Sequence, residues 1–467
     1  MPISATEAQV SGHQRPKRSS ADSSPVDSLA AEEASRRAVK RMQIWTACPA
    51  GPSRRSGRST QGLSSEDPTA DSPPLPTWVI LNQTGARRDY FPGDHTTSVI
   101  SHTSSGEKVS VSFELVEPPG TSVLTLDWPQ GPASIYPRVI AANRNVVLFE
   151  ASWDPSRRSS LSMLPVLYSK RDRNGGRRMQ HIMSMDATGV LSFSDNSFIV
   201  AELETRKDAV DLCMILSVSS KGRIRYDEWR VLKRLPVRNG DLLDLSCWST
   251  HRVVPYRNHL VWVDYYKGMI FANMERPCSE PNLRYVPLPV DATKGIRDDW
   301  NYGRRCPDAY HNICITSSVI KFVTVNRQHN SSSVVPLHRC GSTFRISTWS
   351  FCKYADTWIE EATLDAEEFW TLDSEHCFPH VVPEFPVFNM KNPDAICFSL
   401  NEGSHTFGYS GKIWMVEVHM KKKLLLNATA YYEAPYLSRQ ITTKSARVLS
   451  QGSSFIASEM PHYLAPA

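Results

Sequence analysis

From Thr77 onward the chain alternates apolar and polar residues in short segments broken by turn chemistry, and this two-residue period restricts its fold more than any other feature. In Glu107–Leu115 (EKVSVSFEL), Val109, Val111, Phe113 and Leu115 share one face, and Ser110, Ser112 and Glu114 the other, as in a half-buried strand. His259–Met274 (HLVWVDYYKGMIFANM) sets two strands rich in Val, Trp, Tyr, Ile and Phe around Lys267-Gly268, where glycine would supply the positive φ of a two-residue hairpin. Arg138–Glu150 reads as strand, turn at Asn143–Asn145, strand. Leu212–Trp229 is apolar, then turns at Lys221-Gly222, then alternates; Lys412–Met420 (KIWMVEVHM) alternates after a Gly-Tyr-Ser-Gly turn. Helix signals are scarce. Leu364–Leu372 (LDAEEFWTL) is the best, and Lys421–Lys423 reads as a strand end or turn.

Many short strands with few helices predict an all-β fold: sandwich, barrel or propeller. The chain has 467 residues, and a single core stops growing near ~250–300 residues. A β-propeller-like body of short antiparallel strands accommodates the length without one giant core. Turns near 144, 188, 222, 268 and 410 recur at roughly the ~40–50 residues of one blade. No strict repeat is present, and two β domains would give similar gaps.

The ends differ in texture. Residues 1–74, rich in Ser, Ala, Arg and Pro, cannot bury enough area to offset their chain entropy and are predicted to be a disordered tail. Within them Ala30–Met42 has the composition of a transient helix. The all-β body is placed at 75–440 and a flexible C-terminal tail at 441–467.

The net charge of +5 sits in the N-terminal tail: residues 1–60 hold ten Lys/Arg and five Asp/Glu, so the remainder balances at 43 against 43. A neutral body lacks the basic field that phosphate backbones require, so nucleic acid is expected only through the tail. The tail's acids Glu7, Asp22 and Asp27 speak against a transit peptide, and Arg15–Arg18 and Arg36–Arg41 could serve nuclear import, although a solvated charged tail explains them more simply. No hydrophobic region opens the chain and no apolar run reaches the ~20 residues of a membrane helix. An intracellular chain, cytoplasmic or nuclear, with reduced thiols and no membrane contact is expected, and the sequons at Asn82, Asn330 and Asn427 then count as chance.

Five blocks carry a likeness to a known family: Trp78–Pro92 (WVILNQTGARRDYFP), Pro137–Leu148 (PRVIAANRNVVL), Trp229–Pro236 (WRVLKRLP), Cys247–Met274 with Leu283–Pro289, and Phe385–Tyr432. Over Thr77–Tyr436 the chain resembles the grass-plant family called domain of unknown function 1618 (DUF1618). The resemblance implies no catalytic residue, because the family has no common established activity. The hairpin followed by LRYVPLP is also similar to a blade of the kelch-like propellers attached to plant F-box proteins. The apolar-poor tail lacks the Leu-rich helices of an F-box.

Trp248, Trp262, Asp264, Tyr265 and Tyr266 could line a recognition surface for peptide or sugar. The simpler reading buries one set by alternation and uses Asp264 to cap a turn. Ser249, His251 and Asp264 have triad chemistry, but no G-x-S-x-G elbow accompanies them. Cys306, His311 and Cys314, and His338, Cys340, His376, Cys377 and His380, have metal-ligand types without finger spacing, so no metal is assigned. The absence of G-x-G-x-x-G, Walker and HExxH motifs assigns no cofactor. Lys170–Arg178 (KRDRNGGRR) reads as a basic surface loop. These features predict a non-catalytic protein-interaction module with a protein or peptide partner. The alternative is an enzyme or small-ligand binder using the propeller channel, whose residues come from different blades.

Overall fold

The structure, a computed structural model, describes residues 42–46, 74–92, 97–102, 107–131, 135–152, 164–166, 181–194, 197–220, 223–226, 230–240, 243–275, 281–289, 307–316, 319–328, 343–352, 356–375, 377–401, 412–433, 448–449 and 454–464. The chain is an all-β propeller. Five blades of four to six strands and one three-stranded sheet surround a common axis, and Leu164–Val166 pairs with His181–Met183 in a further two-stranded sheet.

The first blade holds Val79–Asn82, Ala86–Arg88, Val99–His102, Lys108–Glu114 and Thr121–Asp127. Tyr136–Asn143 and Val146–Ser152, joined by Met42–Thr46, make the three-stranded sheet. The second blade runs through Thr188–Ser194, Ser197–Thr205, Val210–Ser220, Arg223–Tyr226 and Arg230–Leu235. The third combines Val237–Arg238 with Arg252–Tyr256, His259–Asp264, Gly268–Asn273 and Leu283–Pro287. The fourth comprises His311–Thr316, Val319–Gln328, Thr343–Cys352 and Thr357–Asp365. The fifth comprises Glu384–Phe388, Ala395–Asn401, Lys412–His419, Leu424–Glu433 and Val448–Leu449.

The chain then returns to its start. Phe455–Ser458 pairs antiparallel with Val79–Asn82 and closes the ring. Met460, just beyond, is fully buried. The segment expected as a flexible tail, 441–467, therefore contains the closing strand. Its four residues are too few to signal a strand locally, and partners some 375 positions away stabilise them. The expected N-terminal tail likewise includes Met42–Thr46, paired with Val146–Glu150. The remaining residues of 1–73, including most of Ala30–Met42, lie outside the described residues, as does Lys170–Arg178.

Apolar clusters fill the contacts between adjacent sheets. Leu191, Ile199, Trp262 and Ile270 join the second and third blades, and Val263, Tyr265, Phe271, Phe322 and Trp349 the third and fourth. Both faces of a blade are thus covered, which corrects the half-buried reading: from Val109 to Phe113 every residue is buried, serines included. Alternation in composition survives, alternation in exposure does not.

One hairpin also differs from expectation. Asp264 pairs with Gly268, so Tyr265, Tyr266 and Lys267 form the loop and Gly268 opens the next strand. Glycine is required there by close approach: a Cβ would lie 2.4 Å from the Val286 carbonyl oxygen and 3.0 Å from Pro287 Cα. The expected helix forms as Ala366–Thr371, and the Glu368 carboxylate accepts the Asp365 N–H at 3.2 Å, as a capping box does. Lys421–Lys423 is a turn. Among the described residues no helix is long and apolar enough to cross a membrane.

Candidate functional site

A cavity of about 260 Å³ lies between the inner strands Tyr136–Asn143, Thr188–Ser194, Arg252–Tyr256 and His311–Thr316 and the closing strand. Its charged lining comes from chain-distant places: Arg138 and Arg144 on the three-stranded sheet, Asp186 before the second blade, Arg252 and Arg257 on the third, Asp308 before the fourth, and Glu459 after the closing strand. The inner strands run the same way. Arg138 and Asp186 sense each other's charge at the strand starts, whereas the Ser192 N–H donates to Asn143 Oδ1 at the strand ends, 2.8 Å apart. The channel therefore has two chemically different ends.

At the first end, Arg252 is tied down. Its guanidinium donates to the Phe455 carbonyl at 2.9 Å and Ser454 Oγ at 3.2 Å, and its Nε lies 3.7 Å from Asp308 Oδ1. The Ser454 hydroxyl donates to the other Asp308 oxygen at 3.4 Å. Arg138 and Asp186 are exposed to the opening and, among the described residues, carry no side-chain hydrogen bond. Surrounding protein atoms lift the Asp186 carboxyl above its usual range; Arg138 opposes this and Asp308 adds to it.

Behind this end, the Tyr265 ring stacks between His251 and His311, with centroids 5.7 and 5.6 Å away. Its hydroxyl lies beside Asp308 outside hydrogen-bond geometry, and burial, then Asp308, raises its pKa well above the ordinary phenol value. His311 Nδ1–H donates to the Pro307 carbonyl at 3.0 Å, and burial lowers the imidazole pKa to about 4. Cys314 Sγ lies 3.5 Å from Met390 Sδ, and burial pushes the thiol up to about 12, so the thiolate nucleophile is disfavoured.

Of the candidates named from sequence, His251 and Cys314 line the cavity, while the five recognition-surface candidates do not. Trp248, Trp262, Asp264 and Tyr265 are buried and Tyr266 is half-buried. They are core rather than recognition surface, because neighbouring blades cover both faces of the third. Trp262 Nε1–H donates to the Ala187 carbonyl at 2.7 Å, and Trp248 Nε1–H to Thr250 Oγ1 at 2.9 Å. Asp264 accepts the Ser249 and Tyr266 backbone N–H groups, both at 2.9 Å, which makes it a turn cap. His251 Nδ1 accepts the Tyr265 N–H at 3.2 Å and lies 3.8 Å from Asp264. That nitrogen has no proton to donate to a carboxylate, so Ser249, His251 and Asp264 do not assemble the hydrogen-bond order of a triad. Cys377 and His380 are exposed; Cys306, His338, Cys340 and His376 lie outside the described residues. The channel residues escaped sequence reading because no two of their groups share a local motif. The one available signal was the pair of similar turns Asn143-Arg144-Asn145 and Tyr256-Arg257-Asn258.

No curated protein matches the chain. Two solved structures are similar to it at 10% identity and a TM-score of 0.28. The polysaccharide lyase Uly1 is covered over 92% of its length by 78% of this chain, and the WD40 domain of SCAP from fission yeast over 96% by 82%. Residues 262–397, from the third blade through the fourth to the second strand of the fifth, match the family described as Protein of unknown function (DUF1618).

Proposed function

We propose that this chain is a non-catalytic protein-interaction module that receives part of a protein or peptide partner at its central channel. One observation carries the reading. Arg252, Asp308 and Ser454 are committed to one another and to the closing strand, while Arg138 and Asp186 stand exposed, oppositely charged and without a hydrogen bond among the described residues. Such a pair can read polar groups without chemistry of its own. At about 260 Å³ the cavity lies below the ~300–1,000 Å³ of ordinary small-molecule sites, and suits an inserted side chain better. The same reading takes the partner to be intracellular, met in cytoplasm or nucleus, and the chain to be of the grass-plant kind that its resemblance implies.

The test compares wild type with Arg138→Ala/Asp186→Ala in affinity capture, each also assayed against a metabolite library. A defined partner lost in the double variant supports the reading. Metabolite turnover by wild type with no partner retained overturns it.

A second reading, a small polar ligand held in the channel wall, is favoured by the buried Tyr265 hydroxyl and His311 Nε2, which lack hydrogen-bond partners among the described residues. Buried polar atoms of this kind usually meet water or a bound group. Calorimetric titration showing stoichiometric uptake of a small metabolite, abolished by Tyr265→Phe, would favour it.

A further inference from the structure

The far end of the channel has a chemistry that the near end lacks. Arg144 and Arg257 occupy matching places: each is the first residue of the two-residue loop joining an inner strand to its neighbour, in the three-stranded sheet and in the third blade. Each has φ of 53°, where L side chains are rare and where such loops ordinarily take glycine. Both line the channel. The same backbone state occurs at Arg234 and Lys423, away from the channel; what singles out Arg144 and Arg257 is that both, at matching loop positions, line the cavity.

The charges agree. The cavity lining carries four arginines against three carboxylates. Asp308 is engaged by Arg252 and Ser454, Glu459 lies 3.9 Å from Lys391, and Asp186 is in the field of Arg138. Arg257 is exposed, with its guanidinium 5.4 Å over its own neighbour Tyr256; it makes no ion pair among the described residues, and Glu275 is the acid whose field it shares at His259. Arg144 lies 5.2 Å over the Tyr463 ring and donates to the Phe193 carbonyl at 3.4 Å, contacts that hold its guanidinium in place at the mouth. A further acid, Asp195, lies outside the described residues.

We propose that this mouth binds an acidic segment of the partner protein, whose Asp or Glu carboxylates meet the Arg144 and Arg257 guanidinium groups. Guanidinium and carboxylate match in planar, two-point geometry. The inference rests on the interaction-module reading and specifies the chemistry of its partner.

The experiment uses the full chain and fluorescein-labelled hexaglutamate, followed by anisotropy at low and raised salt, with hexalysine and inorganic phosphate as comparators. Saturable hexaglutamate binding is expected, weakened by salt, without binding of hexalysine. Arg144→Gly and Arg257→Gly should each weaken it about tenfold, the loss of one charge-assisted contact. Arg257→Gly should keep or raise the thermal midpoint, because glycine fits φ of 53°; Arg144→Gly also gives up the Tyr463 and Phe193 contacts, so its binding is read per folded molecule. Arg257→Lys, which keeps the charge, should retain most of the binding. Equal binding by wild type and the double glycine variant overturns the proposal, as does displacement of the peptide by phosphate at matched concentration, which would reassign the mouth to free anions. A partner captured equally by wild type and the double glycine variant sinks this inference and leaves the module reading standing. The module reading itself fails on the metabolite-turnover outcome given above.

Discussion

Arg252 in the third blade donates to the carbonyl of Phe455 in the closing strand at 2.9 Å, so a side chain from another blade ties the closing strand in place. The same guanidinium reaches Ser454 and lies near Asp308, and thereby binds three sheets at one point. Arg252→Ala leaves these largely buried acceptors unmatched. A loss of about 2–3 kcal/mol is expected, read as a lowered urea midpoint at unchanged slope. An unchanged midpoint would mean that backbone pairing alone closes the ring.

Asp264 should behave as a structural group. Asp264→Ala removes the acceptor for two backbone N–H groups in a buried turn and should cost about 3 kcal/mol, while Asp264→Asn, which keeps one acceptor oxygen, should cost roughly 1 kcal/mol. Partner capture per folded molecule should be the same for both variants. Selective loss of capture with unchanged stability would restore the surface reading of this residue.

His311 makes stability depend on acid. Burial, aided by His251 and opposed by the Pro307 hydrogen bond, lowers its pKa from 6.5 to about 4. Between these values the unfolded chain takes a proton that the folded chain refuses. The stability present above pH 6.5 is therefore lost as pH falls toward 4, by up to about 3 kcal/mol. His311→Phe keeps a ring to stack on Tyr265 and should flatten the dependence of the urea midpoint across this window. Parallel profiles for wild type and variant would refute the assignment.

Gly268→Ala tests the close approach of two strands. Its Cβ would meet the Val286 carbonyl and Pro287 Cα, backbone atoms that cannot rotate away. The strands must part, at an expected cost of about 1–3 kcal/mol in thermal or urea denaturation. A neutral result would show that the strand pair of the third blade is more compliant than its packing implies.

Much of the architecture was legible along the chain. Segments such as Lys412–Met420 and His259–Met274 declared strands because a period of two is local, and Leu364–Leu372 carried the helix signal that Ala366–Thr371 bears out. Exposure was misread for the same reason. Ser110 and Ser112 look like a solvent face within their own strand, yet both are buried in the folded chain, Ser110 against the Ser98 hydroxyl at 2.9 Å. Trp262 and Tyr265 look like an aromatic surface until the second and fourth blades are brought against the third. The channel was illegible: Arg138, Asp186, Arg252, Asp308 and Glu459 converge from five places in the chain.

Side-chain alternation and turn residues therefore settle that this chain forms sheet and where most strands begin, because each depends on contacts a few residues long. Which faces are buried, how the ring closes through Phe455–Ser458, and which charges meet at the axis depend on partners tens to hundreds of residues apart. Those distances are set by how twisted sheets stack around an axis, and no short stretch of residues encodes them.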